Sequence, residues 1–111
     1  ANSDMVGHTG NFKATLLALE AIDKALKIIC ESVLSVGGEV IVTADHGNSE
    51  KMLNDNGTIC TTHTANPVWC IYVGKKHYTM QNGRLADISP TILSLLGIDY
   101  PPEYTGKNLL K

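Results

Sequence analysis

Three of the four histidines lie in polar segments, and two of these have an aspartate close by. The candidate metal ligands in these segments are Asp4, His8, Asp45, His46 and His63. Mixed oxygen and nitrogen donors suit zinc, manganese or iron better than calcium or magnesium. The pattern is compatible with a site for one or two divalent metals. It is equally compatible with a helix-capping aspartate and with histidines that form hydrogen bonds within their own loops.

The chain offers no recognisable nucleophile to accompany these residues. It contains no Gly-x-Ser-x-Gly elbow, no phosphate-binding loop and no Ser-His-Asp order. The adjacent pair Asp45 and His46 does not by itself position a base against a nucleophile. His77 lies next to Lys75 and Lys76 and is interpreted as a solvated residue. We therefore assign no catalytic residue within the chain.

The candidate ligands must be positioned by a small number of regular elements. Residues 1–10 have no helical or alternating period and predict a loop. Apolar residues at steps of three and four predict a helix over residues 12–36, ended by Gly37 and Gly38. Residues 39–44 predict a buried strand, so that Asp45 and His46 follow its carboxyl end, where α/β sheets bind ligands.

The second half of the chain predicts shorter elements. We expect a short helix over residues 49–54, a strand over 68–73 and a hairpin that turns at Asn82 and Gly83. A last helix is expected to begin at Asp87 or Ser89 with Pro90 in its first turn, and residues 99–111 to be coil. The alternation of helices and strands predicts an α/β domain with a mainly parallel sheet. Two confident strands are few for such a sheet, so part of it is expected to be missing.

Composition excludes several classes of partner. The chain is 43% hydrophobic and 18% charged, which is typical of a globular protein. Its net charge is −2 and its basic residues are scattered, which argues against nucleic acid as a partner. Six charged residues interrupt the apolar stretch 12–36, so it is not expected to cross a membrane. The cysteines, Cys30, Cys60 and Cys70, show no paired spacing and predict buried thiols in the cytoplasm.

Three motifs resemble those of the cofactor-independent phosphoglycerate mutases, which belong to the alkaline phosphatase superfamily. These motifs are DMVGHTG at residues 4–10, TADHGN at 43–48 and HTANPV at 63–68. The segments DISPT at 87–91 and YTGK at 104–107 are similar to the C-terminal part of that family. The resemblance implies an alkaline-phosphatase-like α/β fold, with residues 1–111 as the C-terminal part of a metal-binding phosphatase/mutase domain.

The resemblance also implies roles for the candidate ligands. Asp4, His8 and His63 would bind one metal ion, and Asp45 and His46 would bind a second. Members of the family typically use two Mn²⁺ ions, and some accept Mg²⁺, Zn²⁺ or Co²⁺. They interconvert 2- and 3-phosphoglycerate in glycolysis and gluconeogenesis through a phosphoserine, without 2,3-bisphosphoglycerate.

This family's serine nucleophile and a further aspartate ligand lie in an upstream segment, so the 111-residue chain alone is expected to be inactive. It is also expected to bind metal weakly and to self-associate, whereas the whole enzyme is expected to be a monomer. Cys60 stands where relatives often have a histidine that is not a ligand. Two alternatives remain. One is a non-catalytic metal-binding module, and the other is a related enzyme such as phosphopentomutase.

Overall fold

A long helix dominates the first part of the computed structural model, which describes residues 2–111. The helices are α1 (Asn2–Gly7), α2 (Phe12–Ser35) and α3 (Ile88–Leu95), and a 3-10 turn spans Leu85–Asp87. The strands are β1 (Val40–Thr43) and β2 (Cys70–Val73). The chain divides into two compact units, one that extends to Lys75 and one formed by Lys76–Lys111. These elements confirm the α/β class.

Helix α2 confirms the prediction from apolar spacing. Asn11 caps its first turn, because the side-chain oxygen accepts a hydrogen bond from the Ala14 amide at 3.0 Å. At the other end Gly37 takes a φ of +79°, and the amides of Gly37 and Gly38 donate to two carbonyls of the last turn. This is a Schellman ending, which favours glycine. Among residues 2–111, no helix combines the length and apolar character that a membrane crossing needs.

The prediction of a loop over the first ten residues is wrong, because Asn2–Gly7 forms helix α1. This helix packs against α2. Residues more than forty positions away also bind it, since Ser49 donates to the Ser3 carbonyl at 3.2 Å and Asn48 donates to Asp4. A pattern of neighbouring residues carries no sign of such distant contacts.

The prediction of a mainly parallel sheet is wrong for the strands of the described residues, because β1 and β2 pair antiparallel. Both strands are half-buried, and not fully buried as predicted for β1. Thr43, the last residue of β1, pairs with Cys70, the first residue of β2. The segment after β1 and the segment before β2 therefore meet at the same end of the strand pair. A parallel pair would have put them at opposite ends.

The predicted helix over residues 49–54 is also wrong. Leu53 instead bridges Ile59, and the Asn54 amide donates to the Thr58 carbonyl at 2.8 Å. Gly57, with a φ of +78°, allows the chain to reverse between them. The turn chemistry of residues 54–58 is thus stronger than the helical tendency of the residues before it.

The unit Lys76–Lys111 is built around α3, which begins after Asp87 as predicted. The predicted hairpin at Asn82 is wrong, because Met80 bridges Leu110 near the end of the chain. Buried Asp87 accepts hydrogen bonds from the amides of Arg84 and Lys107 at 2.8 and 2.9 Å. These two bonds lower the pKa of Asp87. The tail is coil, as predicted, but this carboxylate and the bridge to Met80 fix it in place.

Candidate metal centre

The three motif segments meet at the end of the strand pair where β1 ends and β2 begins. Helix α1 carries Asp4, and His8 follows one turn later, where its amide donates to the Asp4 carbonyl at 3.2 Å. Residues four apart lie on one face of a helical turn, so both side chains face the same way. The segment after β1 supplies Asp45 and His46, and the segment before β2 supplies His63.

Asp4, His8 and His63 form a close cluster of donor atoms. Their ligand atoms all lie within 4.8 Å of one another. The Asp4 carboxylate is 3.3 Å from Nε2 of His8 and 3.3 Å from Nε2 of His63, and the two nitrogens are 3.0 Å apart. Ligands of an ion bound at about 2.0–2.2 Å lie roughly 2.9–3.6 Å from one another. The spacing of the donor atoms therefore fits a first-row divalent metal.

A main-chain carbonyl fixes the tautomer of His8. Its Nδ1 lies 2.6 Å from the Thr61 carbonyl, which can only accept, so Nδ1 carries the proton. Nε2 then presents its lone pair to Asp4 and His63, as a metal-binding histidine must. A hydrogen bond between Nε2 of His8 and Nε2 of His63 therefore requires that Nε2 of His63 carries a proton. A bound metal would replace that proton.

Asn48 contacts the cluster, although it was not singled out from the sequence. Its buried side-chain amide donates to the Asp4 carboxylate at 2.8 Å. This hydrogen bond is the largest cause of the lowered pKa of Asp4. The only sequence signal for Asn48 is its position at the end of the TADHGN motif. Asp4 is thus kept ionised and oriented toward the imidazoles.

His46 adjoins the cluster and Asp45 lies further out. The His46 ring stacks on that of His63 with centroids 3.6 Å apart and an angle of 21° between planes. Its Nε2 is 3.9 Å from Asp4 and 3.6 Å from Asp45. The Asp45 side chain is 82% exposed. Asp4 is therefore the carboxylate of the three-residue cluster that also approaches His46, one of the pair expected to bind a second ion.

The two loops that carry His46 and His63 are joined through Gly47. The Thr64 amide donates to the Gly47 carbonyl at 2.8 Å in an isolated bridge. A Cβ at Gly47 would overlap the Thr64 hydroxyl and the Glu50 carboxylate. Glycine is thus required here for close approach of the loops, and Glu50 is a further neighbour that the sequence analysis missed.

The remaining residues considered from sequence lie outside the cluster. His77 is exposed and belongs to the unit Lys76–Lys111. The cysteines are free thiols, with Cys60 buried and Cys30 and Cys70 half-buried. The Cys60 sulfur lies 3.6 Å from the Thr62 hydroxyl. The absence of a role for His77 stays a prediction.

Known proteins show the same segment as part of longer chains. The chain is 52% identical to a 2,3-bisphosphoglycerate-independent phosphoglycerate mutase 2 of Methanosarcina barkeri, an alignment covering 99% of this chain and 21% of the relative. It is 49% identical to the corresponding mutase of Aeromonas salmonicida, covering 98% of this chain and 22% of the relative. The chain thus spans about a fifth of the length of these relatives.

A solved structure shares the fold. This is a Leishmania mexicana phosphoglycerate mutase studied at low cobalt concentration, with 36% identity and a TM-score of 0.85 over 99% of this chain and 23% of that one. The likeness confirms the alkaline-phosphatase-like α/β fold. The family profile described as the metalloenzyme superfamily matches residues 1–100. With the donor cluster in place and this match along most of its length, the chain belongs to the metalloenzyme superfamily.

Proposed function

We propose that the chain is the C-terminal part of the phosphatase domain of a cofactor-independent phosphoglycerate mutase. The observation that carries the proposal is the preformed cluster of Asp4, His8 and His63, whose donor atoms lie within 4.8 Å of one another. Each of these ligands belongs to a motif that resembles the mutases. The relatives named above carry that activity in their names and align with nearly the whole chain.

The proposed cofactor is a pair of divalent ions, with Mn²⁺ as the physiological metal. Asp4, His8 and His63 would hold one ion, and Asp45 and His46 would contribute to the second. Bound there, the ions would stabilise charge on phosphoryl oxygens and lower the pKa of a hydroxyl nucleophile. The similar Leishmania mexicana mutase was studied at low cobalt concentration, which is consistent with the use of a first-row divalent metal.

The chain's own residues prepare this site for the ions. The hydrogen bond from Asn48 keeps the Asp4 carboxylate ionised, since it lowers the pKa of that group. The Thr61 carbonyl holds Nδ1 of His8 protonated, which leaves Nε2 free to bind. The stack of His46 on His63 restricts the rotation of both rings. Preorganised ligands of this kind avoid an ordering cost when the metal binds.

The proposed substrate is a small phosphorylated carboxylic acid, phosphoglycerate. Its 2- and 3-phospho forms would be interconverted through a phosphoserine supplied by another part of the protein, without added 2,3-bisphosphoglycerate. We place the activity in cytoplasmic glycolysis and gluconeogenesis and expect a monomer with no nucleic-acid or membrane partner.

The test uses the full-length protein that contains this chain. After removal of metal and addition of Mn²⁺, it should convert 3- to 2-phosphoglycerate with no 2,3-bisphosphoglycerate present. His63→Ala and Asp4→Asn should abolish the activity, and His77→Ala should leave it nearly intact. Activity on pentose phosphates alone would show a phosphopentomutase. Metal binding with neither activity would show a non-catalytic module.

A further inference from the structure

Glu50 lies between the two segments that carry His46 and His63, and no motif role explains it. The segment after β1 holds His46, Gly47 and Asn48, and the segment before β2 holds His63 and Thr64. The exposed carboxylate of Glu50 reaches both.

The two oxygens of Glu50 serve different segments. Oε2 accepts a hydrogen bond from the main-chain amide of Asn48 at 2.6 Å, within the segment after β1. Oε1 accepts from the Thr64 hydroxyl and from the Asn66 side-chain amide, the latter at 2.9 Å, both within the segment before β2. A single side chain thus connects the two segments through three hydrogen bonds.

The carboxylate is suited to this role by its charge. The bonds from Thr64 and Asn66 lower the pKa of Glu50 from its ordinary 4.5 to about 2, and the Asn48 amide acts in the same direction. Glu50 is therefore ionised at neutral pH. Hydrogen bonds to an ionised acceptor are shorter and stronger than neutral ones.

Two of these three bonds involve a residue that contacts or adjoins a proposed metal ligand. Asn48, whose amide donates to Glu50, also donates its side chain to Asp4 at 2.8 Å. Thr64 follows His63 directly, and its own amide pairs with Gly47 next to His46. A displacement of Glu50 would therefore loosen both ligand-bearing segments and the donors that they carry.

We propose that Glu50 is a positioning residue that couples the two ligand-bearing segments, so that the donors of both proposed metal positions are held together before an ion binds. The inference rests on the proposed function, because it takes Asp4, His8, Asp45, His46 and His63 as the ligands. Glu50 is not one of the proposed ligands. It acts through Asn48 and Thr64.

The experiment compares metal-free full-length protein with three variants. Glu50→Ala removes all three bonds, and Mn²⁺ titration by calorimetry should show affinity about 10–100-fold weaker, as for other partners of metal ligands. Thr64→Val removes one of the three bonds to Glu50, together with the bond from the Asn66 main-chain amide to the Thr64 hydroxyl, and should show a smaller loss than Glu50→Ala. Glu50→Gln keeps an oxygen that can accept from Thr64 and Asn66, but its NH2 group would face the main-chain amide of Asn48, which is also a donor. The Mn²⁺ affinity of this variant should therefore lie between those of wild type and Glu50→Ala.

A spectroscopic measurement separates positioning from general stability. The absorption bands of bound Co²⁺ depend on coordination geometry, and Glu50→Ala and Thr64→Val should change their position or intensity. Asp55→Asn is the matched control, because that carboxylate is 98% exposed and pairs with Lys51. It should leave both affinity and spectrum unchanged.

The outcomes separate the two proposals. Wild-type Mn²⁺ affinity and Co²⁺ spectrum in Glu50→Ala would overturn the role of Glu50, provided that Asp4→Asn loses metal. If Asp4→Asn also binds metal normally, the ligand assignment itself is wrong and the proposed function fails. Should Glu50→Ala not fold, Thr64→Val decides, and an unchanged affinity and spectrum in that variant overturn the inference.

Discussion

Replacing Gly47 by alanine is the sharpest test of how the two ligand-bearing segments fit together. Gly47 does not have a positive φ, so alanine meets no backbone strain there. The difficulty is space, because the new Cβ would lie 2.5 Å from Oε1 of Glu50 and closer still to the Thr64 hydroxyl. Both atoms take part in the bonds that join the segments.

The magnitude follows from the displacement required. Ordinary contacts of this kind are near 3.5 Å, so the segments must separate by roughly 1 Å, and overpacking of this kind costs about 1–3 kcal/mol. The same separation would displace the proposed metal ligands, so that their donor atoms would no longer be held at metal-bonding distance. We expect the full-length Gly47→Ala protein to bind Mn²⁺ about 10–100-fold more weakly and to unfold at a lower temperature.

Gly37→Ala is the matched control for this change. Gly37 has a φ of +79° and no atom within 4 Å of a built Cβ, so its cost is conformational, about 1 kcal/mol. It should lower the thermal midpoint without changing Mn²⁺ affinity in calorimetric titration. If Gly47→Ala keeps wild-type affinity and stability, the close approach of the two segments does not position the donors, and the reasoning is refuted.

Three further substitutions give graded outcomes. Thr91→Val removes the hydroxyl that accepts from the buried Leu109 amide at 3.0 Å, and urea unfolding should show a loss of about 1–3 kcal/mol, with Thr91→Ser much closer to wild type. Asn11→Ala removes the cap of α2 and should cost about 0.5–2 kcal/mol, whereas Asn11→Asp should cost little. Because the folded pKa of Glu50 is depressed to about 2 from 4.5, its contribution to stability is present above pH 4.5 and is lost as pH falls toward 2. Glu50→Gln should flatten the pH dependence of the thermal midpoint in that window, and an unchanged profile would contradict the assignment.

Three residues that the sequence singled out lie close together in the structure, whereas the pairing of the strands was predicted wrongly. Asp4, His8 and His63 stand out because charged and imidazole groups in polar loops are poorly explained by packing alone, and the structure brings them together. Their partners could not be found this way. The Thr61 carbonyl belongs to the main chain, and every residue has such a group, so the residue type gives no signal. Asn48 and Glu50 act through hydrogen bonds to residues that are distant in sequence.

Three of the errors in the fold have a common cause. Helix α1, the antiparallel pairing of β1 with β2, and the bridge of Met80 to Leu110 all depend on residues far apart in sequence. Helix α2, whose period, cap and glycine ending are local, was predicted almost to the residue. The parallel sheet was the most consequential error, because only antiparallel pairing puts His63 beside His46.

The exposed apolar side chains of α2 predict how the 111-residue chain behaves alone. The spacing that identified this helix implies a buried stripe, yet Phe12 is 68% exposed, Ile29 50% and Val36, which follows the last residue of α2, 84%. Trp69, just before β2, is 85% exposed. Apolar surface of this extent favours association with other protein surface. We expect the isolated chain to self-associate as its concentration rises, measured by light scattering, and Phe12→Ser combined with Trp69→Ser to reduce the effect. A monomer at every concentration up to the millimolar range would show that this surface is tolerated in water.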